Sequence, residues 1–366
     1  MNMSSLDEVV DMAVREVNSY LSSYFAALRQ EVLKEAPKAM NLLEAVEDYT
    51  MRGGKRLRAI LALIGYWSKK WGRGDISRIA KVMAAIELLQ SYLLVHDDIM
   101  DRDELRRGGP TLHVWFAKKC NEMNWHECEH YGISQAIVAG DYLEACAVFL
   151  LASTGLSAKA LGDLLQAYTT TLRKVAYGQY LDVAFARTPL QNIREEDVLV
   201  VYKHKTSSYT VELPLHLGAI ASEDYNEDLL RELTSFAIPA GLAFQIRDDI
   251  IGLYGDPSVT GKPAGSDVKE KKKTILVIKA YELSSGRERE LLELVYDKLD
   301  SSKISLQHVE EVREIVKKTG SLSYAEELIN KLVSEATSIL DSAREINQQA
   351  KSVLKALTLK LAYREK

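Results

Sequence analysis

Apolar residues recur at intervals of three and four along most of this chain. The pattern is strongest in five stretches: 9–20, 60–67, 79–95, 137–151 and 161–185. Side chains at this spacing share one face of a helix, and no run of alternating apolar and polar residues competes with it. The sequence therefore predicts an all-α protein.

Short breaks that contain glycine or proline separate the helical stretches. They lie at 52–54, 72–74, 108–110, 188–189 and 256–265. Each break marks a turn or loop, and none is long enough for a flexible linker, so we expect residues 1–366 to form a single domain. The predicted helices around 79–100 and 161–185 are long, which favours a bundle of helices lying side by side.

Composition and charge narrow the class of protein. A hydrophobic content of 47% and a charged content of 27% are ordinary for a soluble globular protein, and the net charge of −5 argues against nucleic-acid binding. No uninterrupted apolar run approaches the roughly 18 residues that span a bilayer, and residues 1–16 do not resemble a secretory signal. We expect a cytoplasmic protein without stable membrane insertion. Its three cysteines, an odd number, predict free thiols rather than a disulfide framework.

Two acidic clusters stand out against this background. Asp97, Asp98 and Asp101 form a DDxxD motif, and Asp248 and Asp249 follow 151 residues later. Carboxylates one turn apart on a helix repel each other, and the residues around both clusters are apolar, so a cation is expected there. Carboxylate oxygens without cysteine partners suit Mg²⁺ or Mn²⁺, and such ions leave coordination positions open for phosphates.

Basic residues accompany both acidic clusters. Arg106 and Arg107 follow the first cluster, and the lysine-rich run 269–273 follows the second. Upstream, the segment 53–58 reads Gly-Gly-Lys-Arg-Leu-Arg, which predicts a tight turn and a helix carrying Lys55 and Arg58 on one face. The turn and its cations are suited to a phosphate, although each motif alone also fits a loop and a solvated helix start.

These blocks together resemble the trans-isoprenyl diphosphate synthases, also called polyprenyl synthetases. The matching blocks occur in order at 53–58, 87–90, 96–101, 106–113, 139–143, 178–182, 205–206, 244–249 and 261–272. Members of the family condense an allylic diphosphate with isopentenyl diphosphate. The resemblance covers nearly the whole chain and implies long helices around a central apolar cavity, in a homodimer.

The resemblance also implies roles for individual residues. The ligands of three Mg²⁺ ions, for which Mn²⁺ can substitute, would be Asp97, Asp98, Asp101, Asp248 and Asp249. The allylic diphosphate would be bound by Arg106, Gln179, Asp182, Lys205, Thr206, Gln245, Lys262 and Lys272. Isopentenyl diphosphate would be bound without metal by Lys55, Arg58, Gln90 and Arg107. Catalysis would involve the five aspartates together with Lys205, Thr206 and Gln245, and the departing diphosphate would accept the proton.

Two features depart from the family pattern. Gly252 stands where a third aspartate would complete the second motif, and the connection at about 115–132 is longer than usual. The inserted segment holds Cys120, Cys128 and two histidines, but their spacing does not match common zinc loops, so a surface insertion or lid is expected.

Five further polar residues receive structural interpretations. His96 and His113 are expected to pack, Asp141 to bond a neighbouring helix, and Lys271 and Lys273 to be solvated.

Product length in such a fold depends on where a bulky side chain stops the growing chain. Tyr92 lies five residues before Asp97, about 7.5 Å along the helix, and its neighbour Leu93 is aliphatic. One aromatic at this place resembles archaeal-type geranylgeranyl diphosphate synthases and predicts a product of twenty carbons. If Tyr92 swings aside, Ala84 and Ala85 leave room for twenty-five or thirty carbons.

Three other readings remain open to test. A terpene cyclase would have no use for Lys55, Arg58 and Arg107, and a calcium-binding module would need a glycine-centred loop. A non-catalytic regulatory subunit would lose one or both aspartate motifs, whereas this chain keeps the first and most of the second. The allylic starter, whether dimethylallyl, geranyl or farnesyl diphosphate, is left open.

Overall fold

A computed structural model describes residues 5–255 and 265–364. Helices α1 to α10 are Leu6–Glu35, Met40–Met51, Leu57–Tyr66, Ile76–Asp101, Leu112–Glu122, Cys128–Ala152, Ala158–Phe185, Glu195–Val201, Leu213–Ala221 and Glu227–Tyr254. Helices α11 to α16 are Ser266–Lys269, Ile275–Leu283, Gly286–Glu293, Leu306–Lys318, Ser321–Ser342 and Gln348–Ala362. The predicted all-α fold is confirmed, and the two long helices expected from periodicity lie within α4 and α7.

Several short elements join the helices. Strands β1, Leu105–Arg106, and β2, Gly109–Pro110, form a two-stranded antiparallel hairpin. The remaining elements are 3₁₀ turns at Pro37–Ala39, Leu190–Asn192 and Ser301–Lys303, and π-helical segments at Tyr202–Glu212 and Leu294–Lys298. The π segment Tyr202–Glu212 continues directly from α8 and leads into α9, and π-helical geometry often occurs at functional sites.

Helix α4 is defined at both ends by local chemistry. At its start the Asp75 side chain accepts a hydrogen bond from the Ser77 amide, which satisfies an otherwise unpaired helical N–H. At its end Arg102 has φ of 60°, a left-handed conformation that stops the helix directly after Asp101. Between these ends most side chains are buried, so the first acidic cluster lies at the end of a core helix.

Proximity of Cα atoms divides the chain into two compact units. Of the described residues, unit 1 contains 5–167 and 214–225, and unit 2 contains 168–213, 226–255 and 265–364. Fully buried side chains of unit 1 include Trp67, Ile79 and Ile86. Unit 2 has a core made by α10, α12, α14 and α15. The expectation of one synthase domain over the whole chain stays a prediction.

The inserted segment corrects the expectation of free thiols. Cys120, near the end of α5, and Cys128, the first residue of α6, form a disulfide with Cα atoms 5.4 Å apart. The loop between the two helices is short enough to bring them together, which the parity of the cysteine count does not reveal. Cys146 is free and buried. Because the disulfide consumes two thiols, the zinc interpretation loses its cysteine ligands.

Helices α4 and α6 are long and apolar enough to cross a membrane by length and composition alone. Within the structure, however, 72% of the apolar window of α4 is buried, compared with 44% for α6. A core helix of a globular protein passes the same test, so this is weak evidence for membrane insertion. The difference shows that α6 leaves much of its apolar surface exposed.

Candidate active site

The first acidic cluster ends helix α4 in unit 1. Asp98 is fully buried, and its carboxylate accepts hydrogen bonds from the Tyr49 hydroxyl at 2.6 Å and from Arg106 Nε at 2.7 Å. Arg106 also bonds Asp103 at 3.0 Å. Burial raises the pKa of Asp98, although the Arg106 guanidinium opposes this rise. Asp97 and Asp101 are only partly buried. The cluster therefore combines one aspartate whose charge is balanced by a fixed cation with two that are more accessible.

The β1–β2 hairpin carries Arg106 and Arg107, and the two arginines have different partners. Arg106 pairs with the carboxylate at the end of α4, whereas Arg107 donates a hydrogen bond to the carbonyl oxygen of Gly53 at 2.6 Å. Arg107 has φ of 53° at the hairpin turn. Arg107 thus lies beside the glycine turn that precedes Lys55.

The segment around Lys55 differs from the prediction in one detail. Helix α3 begins at Leu57, so Lys55 lies in the preceding turn rather than on the helix with Arg58. Arg56 occupies the N-cap position with φ of 47°, and its left-handed backbone delays the start of the helix. Lys55 therefore belongs to the turn that Arg107 contacts, and Arg58 lies in the first turn of α3.

Arg56 and Glu87 form a buried ion pair that sequence reasoning missed. Arg56 is 3% exposed, and its guanidinium bonds Glu87 at 3.1 Å and the Thr50 carbonyl oxygen at 3.0 Å. Glu87 in turn accepts from the Ala59 amide at 3.3 Å. Breaking a buried pair by removing one partner costs about 3–5 kcal/mol, so this pair fixes the turn and the start of α3.

Gln90 lies one turn beyond Glu87 on α4. Its side chain is 6% exposed, and its Oε1 has no hydrogen-bond partner among residues 5–255 and 265–364. Buried amide groups are normally hydrogen-bonded. Gln90 therefore retains hydrogen-bonding capacity on the helix that carries the first acidic cluster.

The second acidic cluster lies near the end of helix α10 in unit 2. Asp249 is 5% exposed and accepts hydrogen bonds from the Tyr202 hydroxyl and from Gln245 Nε2, the latter at 2.8 Å. Burial raises the pKa of the Asp249 carboxyl to about 8, and the nearby Asp267 carboxylate adds to the rise. A buried carboxyl that has only neutral donors among its described partners and faces another carboxylate can exchange its proton for a divalent cation. The residues present therefore fit Mg²⁺.

Asp267 lies where the second motif lacks its third aspartate. A Cβ placed on Gly252 would stand 2.5 Å from the Asp267 carboxylate oxygen Oδ2. Asp267 belongs to the short helix α11, fifteen positions along the chain from Gly252. A carboxylate from a different element thus occupies the space beside position 252, which sequence reasoning did not find.

Asp248 has a partner that the sequence also did not indicate. The Arg364 guanidinium pairs with the Asp248 carboxylate and lies 4.6 Å from the centroid of the Phe244 ring. Burial lowers the pKa of Arg364, and the neighbouring Arg247 adds to this effect. The pairing joins two positions 116 residues apart, which no local pattern signals.

The π segment brings several predicted residues of unit 2 together. Lys205 Nζ lies 2.5 Å from Asp182 Oδ2, and Lys272 Nζ lies 3.0 Å from the same oxygen. Burial alone raises the pKa of Asp182, but the two ammonium groups outweigh burial and hold it below its usual range. The Thr206 hydroxyl donates to Gln245 Oε1 at 2.7 Å. Two lysines, a threonine and a glutamine therefore form one polar group with the second acidic cluster.

The other predicted residues have mixed outcomes. Gln179 lies on α7. Lys262 lies outside the described residues. The expectation that Lys273 is solvated is wrong. Its side chain is buried, with Nζ 3.6 Å from Asp297 and 5.0 Å from the centroid of the Tyr296 ring. A run of lysines in sequence did not reveal that one of them turns into the core.

The described side chains do not by themselves complete the ligand shell of a metal ion. Within residues 5–255 and 265–364, no three His, Cys, Asp or Glu side chains converge as a ready-made metal site. Mg²⁺ commonly takes only one or two carboxylates and completes its shell with water and substrate phosphates. The arrangement is consistent with that mode of binding.

Comparison with known proteins places the chain in a family. The polyprenyl synthetase model matches residues 40–317. The geranylgeranyl diphosphate synthase of Saccharolobus solfataricus is 35% identical over 307 residues, covering 83% of this chain and 84% of that protein. The geranylfarnesyl diphosphate synthase of Aeropyrum pernix is 33% identical, covering 83% and 88%. This chain belongs to the polyprenyl synthetase family.

A solved structure is also closely similar. The geranylgeranyl pyrophosphate synthase of Corynebacterium glutamicum, complexed with isoprenyl diphosphate and magnesium, superposes with a TM-score of 0.89 at 28% identity. The match covers 97% of this chain and 99% of that one. The resemblance inferred from ordered motifs is thereby confirmed at the level of family and fold.

Proposed function

We propose that this protein is a divalent-metal-dependent trans-prenyltransferase. It condenses an allylic diphosphate with isopentenyl diphosphate and produces mainly geranylgeranyl diphosphate. The observation that carries the proposal is the pair of acidic clusters, each with a buried aspartate near the end of a long helix. Fixed cations beside each cluster are suited to diphosphate.

The metal ions in this proposal are three Mg²⁺, for which Mn²⁺ can substitute. Their ligands are the carboxylates of Asp97, Asp98, Asp101, Asp248 and Asp249. When bound, the ions neutralise the charge that develops on the departing diphosphate. Such stabilisation lowers the barrier because it is stronger in the transition state than in the ground state.

The allylic diphosphate is bound by cations and dipoles of the chain itself. The residues assigned to it are Arg106, Gln179, Asp182, Lys205, Thr206, Gln245, Lys262 and Lys272. Asp182 supports this role indirectly, because it holds the ammonium groups of Lys205 and Lys272 within 3.0 Å of one oxygen. Two lysines fixed in this way are positioned before substrate arrives, so little reorganisation is needed as the leaving group gains charge.

Isopentenyl diphosphate is bound by a separate set of residues in unit 1. Its ligands are Lys55, Arg58, Gln90 and Arg107. The hydrogen bond from Arg107 to Gly53 and the spare capacity of buried Gln90 support this assignment. Arginine and lysine without metal suit a diphosphate that must stay attached to its carbon chain.

The reaction proceeds by ionisation, condensation and elimination. The allylic C–O bond breaks and its electrons leave with the diphosphate. The double bond of isopentenyl diphosphate then forms a C–C bond with the allylic carbon. The released diphosphate accepts the proton that is lost, which restores a double bond. Thr206 and Gln245 supply oriented dipoles near the reacting atoms.

We assign control of product length to Tyr92 and Leu93 on α4. Tyr92 is partly buried and lies one and a half turns before the first acidic cluster, so its phenol limits the depth available to the growing chain. Twenty carbons is the proposed product, and twenty-five or thirty is the alternative. The Aeropyrum relative bears the name of a geranylfarnesyl synthase, which keeps the longer product in view.

We further propose that the protein is a cytoplasmic homodimer. Helix α6 exposes large apolar side chains to solvent, among them Ile133, Ile137 and Phe149. Large apolar side chains left exposed on one helix favour a contact with another surface. A second copy covering α6 would bury these side chains, and sedimentation analysis of the purified protein measures the assembly directly.

The proposed reaction is tested by incubating the purified protein with Mg²⁺, farnesyl diphosphate and labelled isopentenyl diphosphate. We expect label in a butanol-extractable lipid that comigrates with a twenty-carbon standard after phosphatase treatment. Longer labelled products would support the alternative length. No extractable label with any of the three allylic starters would favour a non-catalytic subunit and overturn the proposal.

A further inference from the structure

We infer that His96 is a positioning residue for product length, because it holds the Tyr92 ring in place against helix α6. The inference rests on the proposed function and extends it from the aromatic side chain to the group that supports it. The four residues that carry it, Tyr92, His96, Ile137 and Gly140, all belong to unit 1.

His96 is anchored to α6 rather than to the acidic cluster beside it in sequence. Its Nε2 lies 3.3 Å from the carbonyl oxygen of Ile137, and a carbonyl can only accept, so Nε2–H donates. The same nitrogen lies 3.9 Å from the Asp141 carboxylate. The imidazole is therefore held on the side of α4 that faces α6.

Gly140 makes room for this imidazole. A Cβ built on Gly140 would stand 2.6 Å from Cδ2 of His96, closer than real Cβ atoms approach. Any larger residue at position 140 would displace the histidine ring or separate the helices. Gly140 on α6 therefore leaves the space that the His96 ring on α4 occupies.

Tyr92 rests on the imidazole one turn earlier along α4. The two rings meet edge to face, with centroids 4.9 Å apart and planes inclined at 67°, a favourable geometry for aromatic pairs. Burial raises the pKa of Tyr92, and the carboxylates of Glu144 and Asp141 on α6 add to the rise. The phenol therefore also lies towards α6, so one helix face positions both rings.

This arrangement has a consequence for the product. Tyr92 limits chain growth only while its ring stays in the path of the chain. His96 removes rotational freedom from that ring by contacting it edge-on, and α6 in turn removes freedom from His96. Without the imidazole, Tyr92 can swing aside, and space towards Ala84 and Ala85 becomes accessible to a longer product.

The test measures the ratio of longer to twenty-carbon products rather than activity alone. His96→Ala is expected to raise this ratio about fivefold, the scale of losing one aromatic contact. Tyr92→Ala should raise it further. In the double variant His96→Ala/Tyr92→Ala the ratio should equal that of Tyr92→Ala, because a residue that acts through Tyr92 has no effect once Tyr92 is gone.

His96→Phe provides the conservative comparison. It keeps an aromatic edge against Tyr92 but removes the hydrogen bond to α6, so its product ratio should lie between those of wild type and His96→Ala. A purely structural role for His96 would change yield or thermal stability without this graded change in product length.

A second variant tests the same contact from α6. Gly140→Ala should raise the ratio in the same direction as His96→Ala, since its Cβ displaces the imidazole. Gly162→Ala is the matched control, because a Cβ there meets nothing within 4 Å. If His96→Ala yields too little protein, Gly140→Ala and Gly162→Ala carry the test.

The outcomes separate this inference from the proposed function. If wild-type protein incorporates no label, the proposed function fails. If wild type is active but His96→Ala and Gly140→Ala leave the product ratio unchanged, the positioning role of His96 is wrong and prenyl transfer stands. Additive effects in the double variant would likewise overturn it, because they would show that His96 acts independently of Tyr92.

Discussion

Asp98 in the first acidic cluster and Asp249 in the second are both buried near the end of a long helix, but the groups that bond to them differ. Asp98 is paired with Arg106, a fixed cation, and accepts from Tyr49. Asp249 accepts only from neutral donors among the partners described, Tyr202 and Gln245. The charge of Asp98 is therefore balanced by the protein itself. Asp249 has a pKa raised to about 8, so near neutral pH a proton balances it until another cation binds.

Two motifs of similar sequence therefore lie in different charge environments within one chain. In the first cluster, Arg106 fixes Asp98 and leaves Asp97 and Asp101 more accessible to metal. In the second, burial raises the pKa of the Asp249 carboxyl to about 8, so this group is mostly protonated near neutral pH, and a divalent ion that binds there would displace the proton. We expect equivalent mutations in the two clusters to have similar effects on kcat but different effects on the free energy of unfolding.

The largest expected effect is on turnover, and it is the same for both clusters. Asp97→Ala and Asp248→Ala should each lower kcat by roughly three orders of magnitude, because both remove carboxylates that act through metal on transition-state charge. Asp228→Ala, an exposed aspartate on the same helix as Asp248, is the control. Steady-state label incorporation measures the effect. An active Asp248→Ala variant would leave the first cluster as the only metal site of the two.

The next-largest effect is on the free energy of unfolding, and it differs between the two clusters. Asp98→Asn should lower the free energy of unfolding by about 3 kcal/mol, because it leaves the Arg106 guanidinium, which is only 15% exposed, without its main carboxylate. Asp249→Asn should change it by less than about 1 kcal/mol near pH 7, since the amide keeps polar contacts and replaces a carboxyl that is mostly protonated there. Urea unfolding without metal measures both. Equal losses would contradict the difference in charge balance.

A smaller effect concerns the missing third aspartate. Gly252→Asp restores the full motif in sequence, but its Cβ would stand 2.5 Å from the Asp267 carboxylate and add a like charge. We expect a loss of about 2 kcal/mol in unfolding free energy and no gain in turnover. Gly252→Ala separates the steric part from the charge. Increased turnover in Gly252→Asp would show that Asp267 does not take the place of the missing carboxylate.

The smallest expected effect is on the pH dependence of stability. It contrasts Arg106 in unit 1 with Lys273 in unit 2. Arg106 stays charged, whereas burial lowers the pKa of Lys273 to about 8, partly opposed by Asp297. The unfolded chain, with an ordinary lysine pKa near 10.5, binds more protons than the fold between pH 8 and 10.5, so stability should rise with pH there. The rise should be on the order of 1 kcal/mol relative to Lys273→Met. Unfolding at pH 7.5, 8.5 and 9.5 measures it, and parallel curves for the two proteins would contradict it.

The sequence predicted those features that depend on local pattern. Helices α4 and α7 follow from apolar spacing, and the aspartates of both clusters follow from their repetition along helices. Lys205, Asp182 and Lys272 were all expected to lie at the allylic diphosphate. That both lysines contact the same Asp182 oxygen was not expected.

Features that depend on distant pairing were not predictable in this way. The contacts between Arg56 and Glu87 and between Arg364 and Asp248 join residues 31 and 116 positions apart. Asp267 reaches Gly252 only because α11 folds back towards α10. The buried position of Lys273 and the disulfide between Cys120 and Cys128 were missed for the same reason, since composition and cysteine parity carry no information about which side chains meet.

The most direct test of the account is label incorporation from isopentenyl diphosphate as a function of Mg²⁺ concentration, with farnesyl diphosphate as starter. We predict no product after chelation of divalent ions, saturable formation of twenty-carbon product as Mg²⁺ is added, and partial rescue by Mn²⁺. Incorporation that is independent of divalent ions, or absent at every Mg²⁺ concentration, would contradict it.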